Sequence, residues 1–97
     1  MIADAGAGAV ERDLEIVNQR GLHARASARF VQVAGAYDAA VTVEKDGIAV
    51  GGTSIMGLMM LAAATGSFIR VRAEGPQALD AIGAIEALVA DRFGEEA

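Results

Sequence analysis

Apolar and polar residues alternate over residues 12–18, where Leu14 and Ile16 are interleaved with Asp13 and Glu15, the period-two signature of a half-buried strand. The period then changes. Over 24–36, Ala26, Phe30, Val33 and then Tyr37 recur on one face, with Arg25, Arg29 and Gln32 on another, so a helix is predicted. Alternation returns over 40–45 through Val41 and Val43. Asp46-Gly47 turns the chain into Ile48-Ala49-Val50, which predicts a hairpin. Thr53 or Ser54 caps a short helix over 55–60, apolar all round and weakened by Gly57. Ser67–Ala73 reads as a strand, with Ile69 and Val71 on one face and Arg70 and Arg72 on the other. Pro76 suits the first turn of a last helix whose apolar stripe is Leu79, Ile82, Ile85, Val89 and Phe93, with Gly94 as its stop. The order is βαββαβα. Strands with one wet face point to an α+β fold, an antiparallel sheet covered by helices on one side. One domain is expected over 11–93, with a flexible Ala/Gly tail at 1–10 and a short tail at 94–97.

Composition narrows the chemistry. Of 97 residues 54% are hydrophobic, but 22 of these are alanine, so the core is adequate and thin. The absence of cysteine excludes disulfides, thiolate zinc sites and thiol catalysis, and a single histidine excludes a multi-histidine metal site. No metal and no cofactor are expected. A net charge of −5 argues against nucleic acid as partner. The longest uncharged run, Gly47–Ile69, is cut by Gly51-Gly52-Thr53-Ser54 and by Thr65-Gly66-Ser67, so no membrane insertion is expected. The first ten residues lack the basic and apolar regions of a secretory signal. A cytoplasmic monomer is the expectation.

The charge is uneven. Ile16 to Tyr37 contains no acid but holds Arg20, Arg25 and Arg29, a +3 stretch centred on His23; Glu74 to Ala97 holds six acids and one arginine. His23 follows Gly21-Leu22 at the N-cap or first turn of the first helix. The amides there lack intrahelical acceptors and the macrodipole is positive, which makes an anion site. Arg25 adds a guanidinium fork to the same anion. A neutral imidazole in that setting suits capture of a phosphoryl group on a ring nitrogen. A surface histidine, or a structural hydrogen-bonded one, fits these residues as well, and Arg25 with Arg29 also fits a solvated helix face.

GLHARASARF at 21–30, TSIMGLMML at 53–61 after a glycine-rich turn, and AEGP at 73–76 resemble the HPr family, the histidine-containing phosphocarriers of the phosphoenolpyruvate phosphotransferase system. The similarity runs over about residues 12–93. It implies an open-faced β-sandwich with a four-stranded antiparallel sheet and three helices on one face. It also implies that His23 is phosphorylated on Nδ1 by phospho-enzyme I and passes the group to an enzyme IIA-type acceptor, with Arg25 accompanying the phosphohistidine. The chain is then a carrier and not a turnover enzyme. Ser54 matches the family's regulatory serine, target of the HPr kinase/phosphorylase; a serine there is equally a good N-cap. Arg29, Ile55, Met56 and Met59 match the docking face, Met56 most of all, whereas Leu58 and Leu61 pack inward. Methionine adapts to several partners, which suits that role.

The chain departs from the family where His23-Ala24-Arg25-Ala26 replaces the usual H-A-R-P, and where Gln32 and Gly35 stand in place of lysines. These changes resemble a branch used for regulation without sugar transport. Two further readings stand beside the phosphocarrier. One is a regulatory module in which a phosphate on Ser54 is the signal. The other is a small-molecule-binding α/β domain, for which GIAVGG supplies no G-x-G-x-x-G loop.

Overall fold

The computed structural model describes residues 9–97. Its elements are β1 (Ala9–Glu15), α1 (Ala24–Gly35), β2 (Ala40–Lys45), β3 (Ile48–Gly51), α2 (Ile55–Met60), β4 (Phe68–Glu74) and α3 (Ala78–Ala90), followed by a 3-10 turn, Arg92–Gly94. The strands form one sheet in the order β1-β4-β2-β3, every pairing antiparallel. The order βαββαβα and the helix-covered antiparallel sheet expected from the sequence are both present. No helix is long and apolar enough to cross a membrane among the described residues.

Alternation along each strand separates the two faces. Val41, Val43, Ile69 and Val71 point inward against Phe30, Leu58, Ile82 and Ile85 of the helices. The outward side chains pair across strands. Arg70 Nε donates to Asp13 Oδ1 at 2.9 Å, and Arg72 lies 3.6 Å from Glu11, as the register Asp13↔Arg70 and Glu11↔Arg72 requires. The β2–β3 hairpin closes through Asp46 (φ 52°) and Gly47 (φ 82°), both left-handed as a two-residue primed turn demands. Gly57 has a packing reason for its place in α2, because a Cβ there would come within 2.9 Å of the Val50 side chain.

Several expectations shift. β1 begins at Ala9 and ends at Glu15. It takes in Ala9 and Val10, placed by sequence in a tail of residues 1–10; residues 1–8 lie outside the described residues. The reason is pairing: β4 runs on to Glu74, which offers Ala9 a partner. Ile16 leaves the strand but stays tied by its N–H to Ser67 O (2.8 Å) and by its carbonyl to Gly66 N–H (2.7 Å). On α1 the buried face is Ala26, Ser27, Phe30 and Ala34, and Val33 and Tyr37 are half-buried. On α3 the stripe is rotated. Ala78, Ala81, Ile82, Ile85 and Val89 are buried, whereas Leu79 is 68% exposed. At about 100° per residue, Leu79 lies about 100° round from the centre of that arc. Pro76 precedes the helix, whose N-cap is Gln77, and Phe93 reaches the core from the turn beyond Ala90.

Candidate functional site

The site begins at a backbone crossing. Gly21 sits at φ 66°, and a Cβ on it would lie 2.3 Å from the carbonyl oxygen of Ala63. Only glycine allows both the conformation and the approach. Leu22 N–H then donates to that same oxygen at 2.9 Å, pinning the loop before α1 to the loop after α2. His23 follows as the N-cap in extended conformation (φ −76°, ψ −178°), and its carbonyl accepts the Ser27 N–H at 2.9 Å. The amides of Ala24, Arg25 and Ala26 therefore have no intrahelical acceptor. The His23 side chain makes no capping bond, so the imidazole is left for other work.

That ring is held by the C-terminal segment. Helix α3 stops at Ala90, and Arg92 (φ 57°), Phe93 (φ 55°) and Gly94 (φ 79°) are successively left-handed, which swings the chain back toward His23. A left-handed phenylalanine costs roughly 1–2 kcal/mol. Full burial of its ring offsets this cost. Residues 94–97, expected to trail as a tail, reach the site. Glu95 Oε2 lies 2.5 Å from His23 Nε2, and Ala97 O accepts from Gln19 N–H at 3.0 Å. Asn18, fully buried, donates from Nδ2 to Glu95 Oε1 (3.1 Å) and to Gly21 O (2.9 Å). Partial burial opposes the charge of Glu95, but hydrogen bonds from His23 and Asn18 and the nearby Arg20 outweigh it, so the carboxyl titrates below its ordinary value.

Arg20, Arg25, Arg29 and Glu96 line the same concavity as His23 and Glu95. Arg25 is exposed and makes no ion pair among the described residues, so its guanidinium is available to an anion. Arg29 lies against the turn, since a Cβ on Gly94 would meet its Nη1 at 2.7 Å. The arrangement can offer an anion free helix amides, a guanidinium and a ring nitrogen.

The remaining sequence candidates form a second group on α2, which packs against α1. Ser54 is exposed and is the N-cap: its Oγ accepts from Gly57 N–H at 2.9 Å and its carbonyl from Leu58 N–H at 3.0 Å. Leu58 and Leu61 are buried, while Ile55, Met56 and Met59 are exposed, Met56 at 70%. Met60, which the sequence reading left out, is 72% exposed and belongs with them. Asn18 and Glu95 were also missed. Nothing local marks either one, because their meeting depends on a left-handed turn that helical periodicity does not encode.

Residues 10–91 match the family model described as the PTS HPr component phosphorylation site. Over 86 residues the chain is 46% identical to phosphocarrier protein HPr of Cupriavidus necator, covering 89% of this chain and 97% of that protein. Among solved structures, HPr-C-His from Thermoanaerobacter tengcongensis superposes with a TM-score of 0.87 at 42% identity, covering 91% of this chain and 99% of the other. A phosphocarrier protein HPr from Bacillus anthracis gives 0.80 at 42% identity, over 84% and 96%. By the family match over most of its length, these identities and the shared fold, the chain belongs to the HPr family of phosphocarrier proteins of the phosphotransferase system.

Proposed function

We propose that His23 takes a phosphoryl group on Nδ1 from phospho-enzyme I and passes it to a histidine of an enzyme IIA-type protein, the chain acting as a stoichiometric carrier in the cytoplasm. The observation that carries this reading is the division of the imidazole. Nε2 is engaged by Glu95 and Nδ1 has no hydrogen bond among the described residues, while His23 itself stands at the N-cap of α1 and shares its concavity with Arg25. The step moves electrons simply: the Nδ1 lone pair forms the N–P bond while the donor's N–P bond breaks and its pair returns to the donor ring. Helix amides and Arg25 bear on the phosphoryl oxygens. Ile55, Met56 and Met59, with Arg29, supply docking contacts. The test is labelling with phosphoenolpyruvate and purified enzyme I, which is expected to give an acid-labile, base-stable adduct that His23→Ala abolishes. Persistent label in that variant overturns the assignment.

A second reading concerns regulation. Ser54 is exposed at the start of the Met-rich face, so a phosphate placed there by an HPr kinase/phosphorylase would put negative charge where partners dock and repel an incoming phosphoryl group. ATP-dependent labelling that Ser54→Ala removes supports this reading. The departure at Ala26 favours an acceptor of the regulatory kind, and competition between a sugar-permease IIA and a regulatory IIA for the phosphorylated protein decides between the two.

A further inference from the structure

Glu95 stands where no motif placed a residue, and it is fixed from three sides. Its Oε2 meets His23 Nε2, its Oε1 is held by Asn18, and its backbone is aimed by the left-handed turn anchored on buried Phe93. Asn18 in turn grips the carbonyl of Gly21, two residues before the histidine, so the carboxylate and the imidazole are referenced to one loop. Both side chains are largely sheltered, His23 at 17% and Glu95 at 15% exposure, which strengthens the contact relative to one in open water.

We infer that Glu95 is a positioning residue for His23: its carboxylate holds the proton on Nε2, commits the ring's lone pair to Nδ1, and balances the positive charge the ring gains when Nδ1 is phosphorylated. The inference rests on the phosphocarrier reading of His23. An ionised carboxylate only accepts hydrogen bonds, so at this contact Nε2 is the donor. A neutral imidazole has one N–H, and placing it on Nε2 leaves Nδ1 as the nucleophile. As the Nδ1–phosphorus bond forms and the donor's nitrogen–phosphorus bond breaks, the Nε2 proton stays and the ring becomes a cation facing Glu95. On onward transfer the electron pair of the Nδ1–phosphorus bond returns to His23 and the ring is again neutral. The base–orienter pairing of catalytic triads follows the same logic. Arg20, Arg25 and Arg29 supply the positive charges around the pair, and Glu96 the other negative one.

The experiment uses the full chain with Glu95→Gln, Glu95→Ala and Glu95→Asp. Nitrogen-15 spectra of the His23 ring, recorded where the ring is neutral, are expected to show the Nε2–H tautomer in the wild type and a mixture of tautomers in Glu95→Ala. Single-turnover phosphorylation by phospho-enzyme I is expected to slow about 10-fold or more in Glu95→Ala, with the half-saturating enzyme I concentration unchanged and Glu95→Asp partly rescuing the rate. Glu95→Gln retains an acceptor oxygen without the charge and should fall between. Labelled wild type together with unaltered tautomer and rate in Glu95→Ala overturns the role of Glu95 alone, as does a faster rate in Glu95→Gln, which would make the carboxylate a brake. A wild type that takes no label overturns the phosphocarrier reading itself and this role with it.

Discussion

Replacing Gly21 with alanine tests whether the crossing before α1 sets the site. The left-handed backbone at φ 66° costs an alanine roughly 1–2 kcal/mol. The new Cβ would also lie 2.3 Å from Ala63 O, so backbone must move against backbone, at a cost of about 1–3 kcal/mol. Retreat of Ala63 would stretch the Leu22 hydrogen bond, worth about 1 kcal/mol. The expected loss is about 3–6 kcal/mol, a large share of the roughly 5–15 kcal/mol that holds a domain folded. Gly47 supplies the control. Its φ is also left-handed, at 82°, but nothing lies within 4 Å of its Cβ position, so Gly47→Ala carries only the conformational cost. Urea unfolding followed by far-ultraviolet circular dichroism is expected to place Gly21→Ala about 2–4 kcal/mol below Gly47→Ala. Equal losses in the two variants would refute the claim that close approach, and not conformation alone, demands glycine at 21.

The rotated stripe on α3 predicts that Ile82→Ala costs about 2–5 kcal/mol in urea unfolding whereas Leu79→Ala stays within about 0.5 kcal/mol; a similar cost for both would restore the stripe that periodicity suggested. Ser54→Ala removes the Oγ that receives the Gly57 N–H and is expected to cost about 1 kcal/mol, while Ser54→Asp, which keeps an acceptor there, costs less; the order is read from unfolding midpoints. Glu95 has a folded pKa below its unfolded value of about 4.3, so over that window the unfolded chain binds more protons and stability rises with pH. Its contribution is complete above the unfolded value and is lost as pH falls through the folded one. Thermal unfolding between pH 6 and 3, each value an approximate setting, should therefore show a shallower acid decline in Glu95→Gln than in the wild type; parallel declines would remove Glu95 as a source.

The parts of the fold written in short-range patterns are legible in the sequence. Alternation around Val41 and Val43, the Asp46-Gly47 turn and the capped 55–60 segment each encode their own geometry, and β2 and α2 occupy the predicted residues. The phase of α3 was less legible because Leu79 fits a stripe by spacing alone, and only the sheet beneath decides which side of an alanine-rich helix is covered. Charge and capping signals converge on one stretch of sequence and marked His23, Arg25 and Arg29 as candidates, which the structure brings to one concavity. Asn18 and Glu95 were not marked. They are 77 residues apart, and the turn that joins them contains a left-handed phenylalanine whose conformation is held by burial and not by preference.

The substitution at Ala26 takes a different meaning once the helix start is in place. Proline at the third helical position would have no N–H, whereas Ala26 keeps one, and that amide has no intrahelical acceptor. The start of α1 thus has three amides without an intrahelical acceptor where a proline at 26 would leave two. A helix N-terminus stabilises an anion by roughly 0.3–1 kcal/mol when exposed, and a charged hydrogen bond from an arginine by about 1.5–3 kcal/mol. For the phosphorylation proposed at His23, those magnitudes would hold the group without trapping it. A carrier needs that modesty, since whatever stabilises the bound group equally in the resting and transferring states only lowers its tendency to leave. In the role inferred for it, Glu95 bears on the same balance. Its charge would favour the ring cation formed on phosphorylation and repel the phosphoryl oxygens, so the gain at the nitrogen would be offset at the phosphate. The extra amide at Ala26 and the carboxylate at Glu95 would thus pull in opposite directions on the phosphoryl group proposed for His23.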